Sequence, residues 1–246
     1  MFLTDHQTLK LKNLEEKVVN SKRTDILGKG CTTSLIDIYS KQKYGKRKIS
    51  GYEESVLSIA NGTISEGNSL KMLSEFDNID YKTHKETISN RYIKGIIDGY
   101  IGKSIKKCDK IIEVKTCNSL QSLLNNTQES VKAQYYWQIM GYMFITGATE
   151  GEICHCLVSY PKELIQSAKD RYLYKIRPLS LSSEYISEQL YKIENDMTFD
   201  EIPVNERIVR TTVRRNDEHI AMIKQKVKYC REWLNNFDKL HQNINK

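Results

Sequence analysis

Apolar residues change their spacing several times along the 246-residue chain, and each change marks an expected element. Residues 5–22 carry them at helical intervals. So does TTSLIDIYSKQKYG, 32–45, which opens on Thr/Ser caps and stops at Gly45. A further helix is expected over 52–76, with Gly62 and Gly67 weakening its middle. The period then falls toward two. RYIKGIIDGYIG, 91–102, and KIIEVKTC, 110–117, read as strands, and the polar stretch between them makes 91–116 a hairpin. SVKAQYYWQIMGYMFITG, 130–147, returns to a helix that ends at Gly147. EICHCLVSY, 152–160, reads as a buried strand, and Pro161 opens another helix. In the last long helix, 216–242, Ile220, Ile223, Val227, Cys230, Leu234 and Phe237 form a stripe at three- and four-residue steps. Docking within the chain is its expected use. The order is helices, hairpin, helix, strand, helices. It implies an α/β fold: a mixed central sheet flanked by helices, with extra helices at both ends.

Composition changes this picture little, but charge adds to it. Residues 1–50 hold eleven Lys/Arg against five Asp/Glu, and residues 203–246 hold ten against five. The middle, 51–202, holds seventeen against twenty-one. Basic ends around an acidic centre suit a polyanion-binding protein whose active centre holds a cation, and also suit a solvated surface with Lys-rich helix ends. The N-terminal MFLTDHQTLKLKNLEE lacks the apolar core of a signal peptide, and no run approaches the roughly 20 apolar residues of a membrane span. Six cysteines in that context read as reduced thiols, and the chain is expected to be cytoplasmic, without membrane partners.

The strand KIIEVKTC poses the chemical question, because Glu113 and Lys115 sit two apart and so share one face. One strand back, Asp98 in GIIDGY is placed by hairpin pairing beside Glu113. Two adjacent carboxylates repel unless a proton or cation intervenes, and Mg²⁺ is commonly held by one or two carboxylates with water and phosphate oxygens. The backbone carbonyl of Val114 is a further candidate ligand. Lys115 would then orient or help deprotonate an attacking water, or neutralise phosphate charge. Acid, acid and lysine around Mg²⁺ read as a phosphodiester-hydrolysis site.

Gly95, Asp98 and Gly99 in GIIDG, followed by Glu113-Val114-Lys115, resemble the PD-(D/E)XK nuclease superfamily. Ile97 stands where that superfamily's namesake proline would be. YYWQIMGYMFITG places Gln138 one helical turn before Tyr142, similar to the Gln-containing helix of the lambda-exonuclease, YqaJ and RecB-like branch. ANGTISEGNSL gives Gly62 and Glu66, similar to that branch's Gly-x-x-x-Glu helix. The resemblance implies a restriction-endonuclease-like core over about 50–165, between helical segments 1–50 and 166–246 of one nuclease domain, 1–246. It implies metal held by Glu66, Asp98, Glu113 and Val114, with Lys115 serving the attacking water and Gln138 supporting the site. The cofactor would be Mg²⁺, with Mn²⁺ as a substitute. The activity implied is exonucleolytic hydrolysis of linear duplex DNA, 5′ to 3′, in phage-type recombination within a bacterial host. A single-strand-annealing recombinase would be a partner and a trimer the assembly. An endonuclease on the same core, or a non-catalytic DNA-binding accessory protein, are the alternatives.

Other features carry less. Cys154-His155-Cys156 would alternate faces on a strand, so all three cannot grip one ion, and no zinc is expected. Only Cys230 lies beyond the core, which speaks against an iron–sulfur cluster. Tyr135, Tyr136 and Trp137 fit core packing better than base stacking. Arg23, Lys29 and Ser34, around the early helix, are candidates for a terminal phosphate; Lys46, Arg47 and Lys48 are candidates for the DNA backbone.

Overall fold

The computed structural model describes residues 27–45, 56–128 and 131–244. The helix expected at 5–22, together with Arg23, Lys46, Arg47 and Lys48, lies outside them. The chain enters through α1 (Lys29–Tyr44) and α2 (Val56–Asp77), then runs through β1 (Lys82–Ser89), β2 (Lys94–Ser104) and β3 (Lys107–Thr116). Helices α3 (Leu120–Gln128) and α4 (Ala133–Thr146) lead to β4 (Glu150–Cys156). After α5 (Lys162–Ile176), α6 (Ser183–Asp196) and a 3₁₀ turn, β5 (Ile208–Arg214) precedes α7 (Asp217–Ile244). The five strands form one sheet in sequence order, antiparallel except for the parallel pair β3–β4. The mixed sheet flanked by helices is the architecture the pattern implied.

Two layers cover the sheet. On one face, Ile112 and Val114 of β3 and Cys154 and Cys156 of β4 pack against Leu70 and Leu73 of α2. On the other, Ile111 and Ile153 pack under Ile139, Met140 and Met143 of α4, backed by Ile220, Ile223, Val227, Cys230 and Leu234 of α7. The α7 stripe is therefore spent within the chain. Its C-terminal half also holds α1: the Cys31 and Cys230 sulfurs are 4.0 Å apart, and Tyr39 donates to Asp238 at 2.6 Å.

Several elements depart from expectation. Helix α1 does not begin on hydroxyl caps. It starts at Lys29 after an extended Gly28, and Thr32, Thr33 and Ser34 lie inside it, their hydroxyls donating back to the carbonyls of Lys29 and Gly30. Gly45 does end it, at φ 68°. The hairpin's turn is tighter than expected, with β2 and β3 separated only by Ile105 and Lys106. Strand β4 begins at Glu150 and is over by Cys156. Strands β1 and β5 add an edge on each side. Pro161 stands just ahead of α5, at its N-cap.

Candidate active site

The site is built where β2 loses its regular alternation. On β1, Lys82 pairs with Tyr100 and His84 with Ile97, so two steps on β1 span three on β2. The extra residue lies at Asp98-Gly99, and a bulge of this kind re-aims a side chain. The faces confirm the change. A Cβ on Gly95 would come within 2.3 Å of the Tyr142 ring of α4, whereas one on Gly99 would come within 2.9 Å of Leu70 of α2. Both glycines of GIIDG are thus close-approach positions, one for each layer.

Toward β3 the pairing next to the site is regular: Tyr100 faces Ile111 and Gly99 faces Ile112, so Asp98 and Glu113 come next in line. Asp98 Oδ2 accepts the backbone N–H of Val114 at 2.8 Å. Glu113 is only 2% exposed, and its Oε1 accepts from the Lys115 ammonium and, at 2.6 Å, from Gln138 Nε2. Gln138 also donates to the Tyr142 hydroxyl, 3.2 Å away. Helix α4 thereby locks the Glu113 rotamer through Gln138 and, one turn on, closes over Gly95 through Tyr142. Lys115 lies 4.9 Å from the centre of the Tyr135 ring. Burial alone would lower its pKa, but the Glu113 carboxylate and, beyond it, Asp98 outweigh that effect and hold the ammonium above its ordinary range. Lys115 is accordingly a firmly charged group between two carboxylates.

Glu66 comes from the second layer. Asn61, Ser65 and Ser69 form a fully buried polar stripe along α2; Asn61 donates to Asn118 at 3.0 Å, and Ser69 meets Thr116 at 3.1 Å. These bonds fix α2 against the C-terminal end of β3. Exposed Glu66, between them in sequence, then lines a cleft of about 200 Å³ with Thr63, Gly67, Ile97 and Asp98. A larger cleft of about 330 Å³, bordered by Lys71, Glu75, Asp200 and Arg207, contains none of the candidate residues. Its size does not make it the reactive one, because it lacks the converging carboxylates and lysine.

Among the described residues, no three His, Cys, Asp or Glu side chains are gathered as a metal-ligand cluster. Asp98 and Glu113 make a two-carboxylate donor set, with Glu66 across the cleft. One carboxylate pair with a neighbouring main-chain carbonyl at Val114 is chemically suited to Mg²⁺, which commonly takes one or two carboxylates. Lys29 and Ser34 come from the helical layer beside the sheet. They lie on α1, Lys29 exposed and Ser34 donating to Gly30, in the layer that packs on α7.

Two neighbours of Lys115 carried little sequence signal. Tyr135 faces Lys115 and His155, whereas Tyr136 is bonded to His219 at 2.6 Å and Trp137 is 4% exposed. His155 stands opposite Lys115 in the β3–β4 register, and both its ring nitrogens are buried without a hydrogen-bond partner among the described residues. Burial, followed by the nearby Lys132 and Lys115 charges, lowers its pKa to about 4. Cys154 and Cys156 point away into the α2 layer, so the Cys-His-Cys run alternates as a strand requires.

A five-stranded mixed sheet, helices on both faces, and Asp, Glu-x-Lys and Gln converging at the end of its central hairpin resemble a PD-(D/E)XK-type core. Residues 62–149 match the YqaJ-like viral recombinase domain, and that stretch holds Glu66, Asp98, Glu113, Lys115 and Gln138. The fold is similar to a phage-related exonuclease from Haemophilus somnus 129PT, with 18% identity and a TM-score of 0.72 over 98% of this chain and 96% of that one. It is also similar to the alkaline exonuclease LHK-Exo of Laribacter hongkongensis, also solved in complex with dAMP, with 12% identity and a TM-score of 0.57 over 98% and 94%. Among curated proteins, none matches.

Proposed function

We propose that the protein is a Mg²⁺-dependent DNA exonuclease that hydrolyses phosphodiester bonds of linear duplex DNA from the 5′ end. The observation that carries this reading is the Asp98–Glu113–Lys115 cluster, in which Asp98 stands beside Glu113, the Lys115 ammonium bonds Glu113, and Gln138 fixes that more buried acid. Such a set is poor structural glue and suits a divalent cation. Asp98, Glu113 and the Val114 carbonyl would hold Mg²⁺, with Glu66 approaching from α2. When bound, the cation supplies Lewis acidity to the phosphate and makes water a better nucleophile.

The chain's own groups do the rest. Lys115 holds the attacking water by a hydrogen bond and balances negative charge growing on the phosphate oxygens. Gln138 and Tyr142 keep Glu113 in one rotamer, so its carboxylate is placed before substrate arrives. Exonuclease polarity, delivery of the 3′ strand to a single-strand-annealing recombinase, and a ring-shaped trimer are parts of the same proposal. The recombination setting draws support from the YqaJ-like viral recombinase match, and the exonuclease activity from the exonucleases that share the fold.

The test is digestion of end-labelled linear duplex and covalently closed circular DNA by purified protein, with Mg²⁺ or with EDTA. Linear DNA alone should disappear, only with Mg²⁺, the label's position reporting polarity. Lys115→Ala should lower the rate by about 10²–10⁴-fold while DNA is still bound. Cutting of circles would replace the exonuclease with an endonuclease, and binding without cutting would leave an accessory protein.

A further inference from the structure

A basic surface lies outside the carboxylate cluster, on two elements far apart in sequence. On α7, Lys224, Lys228 and Arg231 fall at i, i+4 and i+7, forming one stripe beside the buried face of the helix. Arg91 occupies the turn between β1 and β2. Asn90 fixes that turn, its side chain accepting the backbone N–H groups of Tyr92 at 2.8 Å and Ile93 at 3.1 Å. Arg231 donates to the Arg91 carbonyl and ties the turn to α7. The Arg91 guanidinium lies 4.7 Å from the centre of the Tyr92 ring and contacts its hydroxyl. Tyr92 meets Phe144 of α4 at 5.8 Å, and the Lys224 ammonium lies 4.9 Å from the centre of the Phe144 ring. Aromatic rings thus hold two of the cations in place without neutralising them.

The ion pairs of the described residues tie up lysines and arginines elsewhere, and none involves Arg91, Lys224 or Lys228. The field is felt locally. The Arg91 hydrogen bond, outweighing partial burial and helped by the charges of Arg91, Lys224 and Lys228, lowers the Tyr92 phenol below its ordinary range. We propose that Arg91, Lys224 and Lys228, with Arg231, form a sequence-independent contact surface for the phosphate backbone of DNA outside the catalytic cleft. This rests on the nuclease reading above. The dimensions fit a polyanion. The helical stripe is about 10 Å long at 1.5 Å per residue, and DNA offers one phosphate per roughly 3.4 Å of each strand. Tyr92 precedes Asp98 by six residues, about 20 Å of extended strand, and its neighbour Phe144 lies on the helix that carries Gln138. A duplex with one end at the carboxylates would reach this surface about six base pairs along.

The experiment measures binding of a fluorescent duplex oligonucleotide to the full chain in EDTA, between about 50 and 200 mM salt. The variants are Arg91→Ala/Lys224→Ala/Lys228→Ala and, leaving the β1–β2 turn intact, Lys224→Gln/Lys228→Gln. Lys106→Ala/Lys107→Ala, at the other end of β2, is the charge-matched control. Hydrolysis of bis(p-nitrophenyl) phosphate with Mg²⁺ or Mn²⁺ reports the catalytic centre separately. The triple variant should lose about three units of the slope of log affinity against log salt and the double variant about two, with the control unchanged and small-substrate turnover as in wild type. If wild type binds and both variants keep its slope, the surface assignment is overturned and the catalytic reading stands. If wild type neither binds the duplex nor hydrolyses either substrate, the nuclease reading falls and takes this surface with it.

Discussion

The sheet carries two clusters of buried charge, and they are built in opposite ways. On the α2 side, Asp77 takes two bonds from Arg210 at 2.8 and 2.9 Å and a third from the Tyr81 hydroxyl at 2.6 Å. Arg210 also reaches Glu152 at 3.5 Å, and Lys110 reaches Glu152 at 3.2 Å and Glu150 at 3.1 Å. Asp77, Glu150 and Glu152 each meet a cation in a direct ion pair. At the other cluster, the Lys115 ammonium bonds Glu113 and feels the charge of Asp98, which accepts the Val114 N–H and lines the cleft. A matched set locks β5 and the end of α2 to the sheet. A carboxylate pair that opens on a cleft through Asp98 suits the divalent cation proposed above. Both contain a buried Glu on a strand, so burial of charge alone does not separate structure from chemistry; access to a cleft does.

Breaking the matched set should cost the most stability. Arg210→Leu leaves Asp77 and Glu152 without their shared guanidinium and should destabilise the fold by about 3–5 kcal/mol. Thermal unfolding would show it, while activity per folded molecule stays at the wild-type level. An equal loss of activity in the folded fraction would erase the distinction between the clusters. A smaller effect sharpens the site end. His155 has a folded pKa of about 4 against an ordinary 6.5, so the unfolded chain takes up the proton first as pH falls. Stability from this residue is full above about pH 6.5 and declines by about 3 kcal/mol toward pH 4. His155→Leu should flatten that part of the curve in chemical denaturation across the window. An unchanged slope would assign the acid lability elsewhere.

The site was more legible in the sequence than the sheet around it. Glu113 and Lys115 announced themselves because a two-residue step on a strand fixes their shared face whatever the tertiary context. Gln138 and Tyr142 were readable for the same reason on a helix. The α7 stripe was readable from its apolar spacing. Strand β1, KTHKETIS, was not: only Ile88 is buried in it, so there is no alternation to read on this edge strand. Strand β5 likewise buries only Val213, and Arg210 finds Asp77 across 133 residues of sequence, a pairing no local pattern contains. The bulge at Asp98 was hidden because an inserted residue in an otherwise regular strand has no signature beyond its glycines. The structure starts α1 three residues upstream of the expected position, which puts Lys29 in its first turn and Ser34 inside the helix, because no side-chain cap marks that start.

The most direct measurement is the melting temperature of wild type and Asp98→Asn during titration with Mg²⁺ and Mn²⁺, without DNA. A ligand bound only to the folded state stabilises it by about 2.7 kcal/mol at 100-fold excess over its dissociation constant. The account predicts a saturable rise in melting temperature for wild type and little or none for Asp98→Asn. The same rise in both proteins, or none in wild type, would contradict the claim that the Asp98–Glu113 pair is a divalent-cation site.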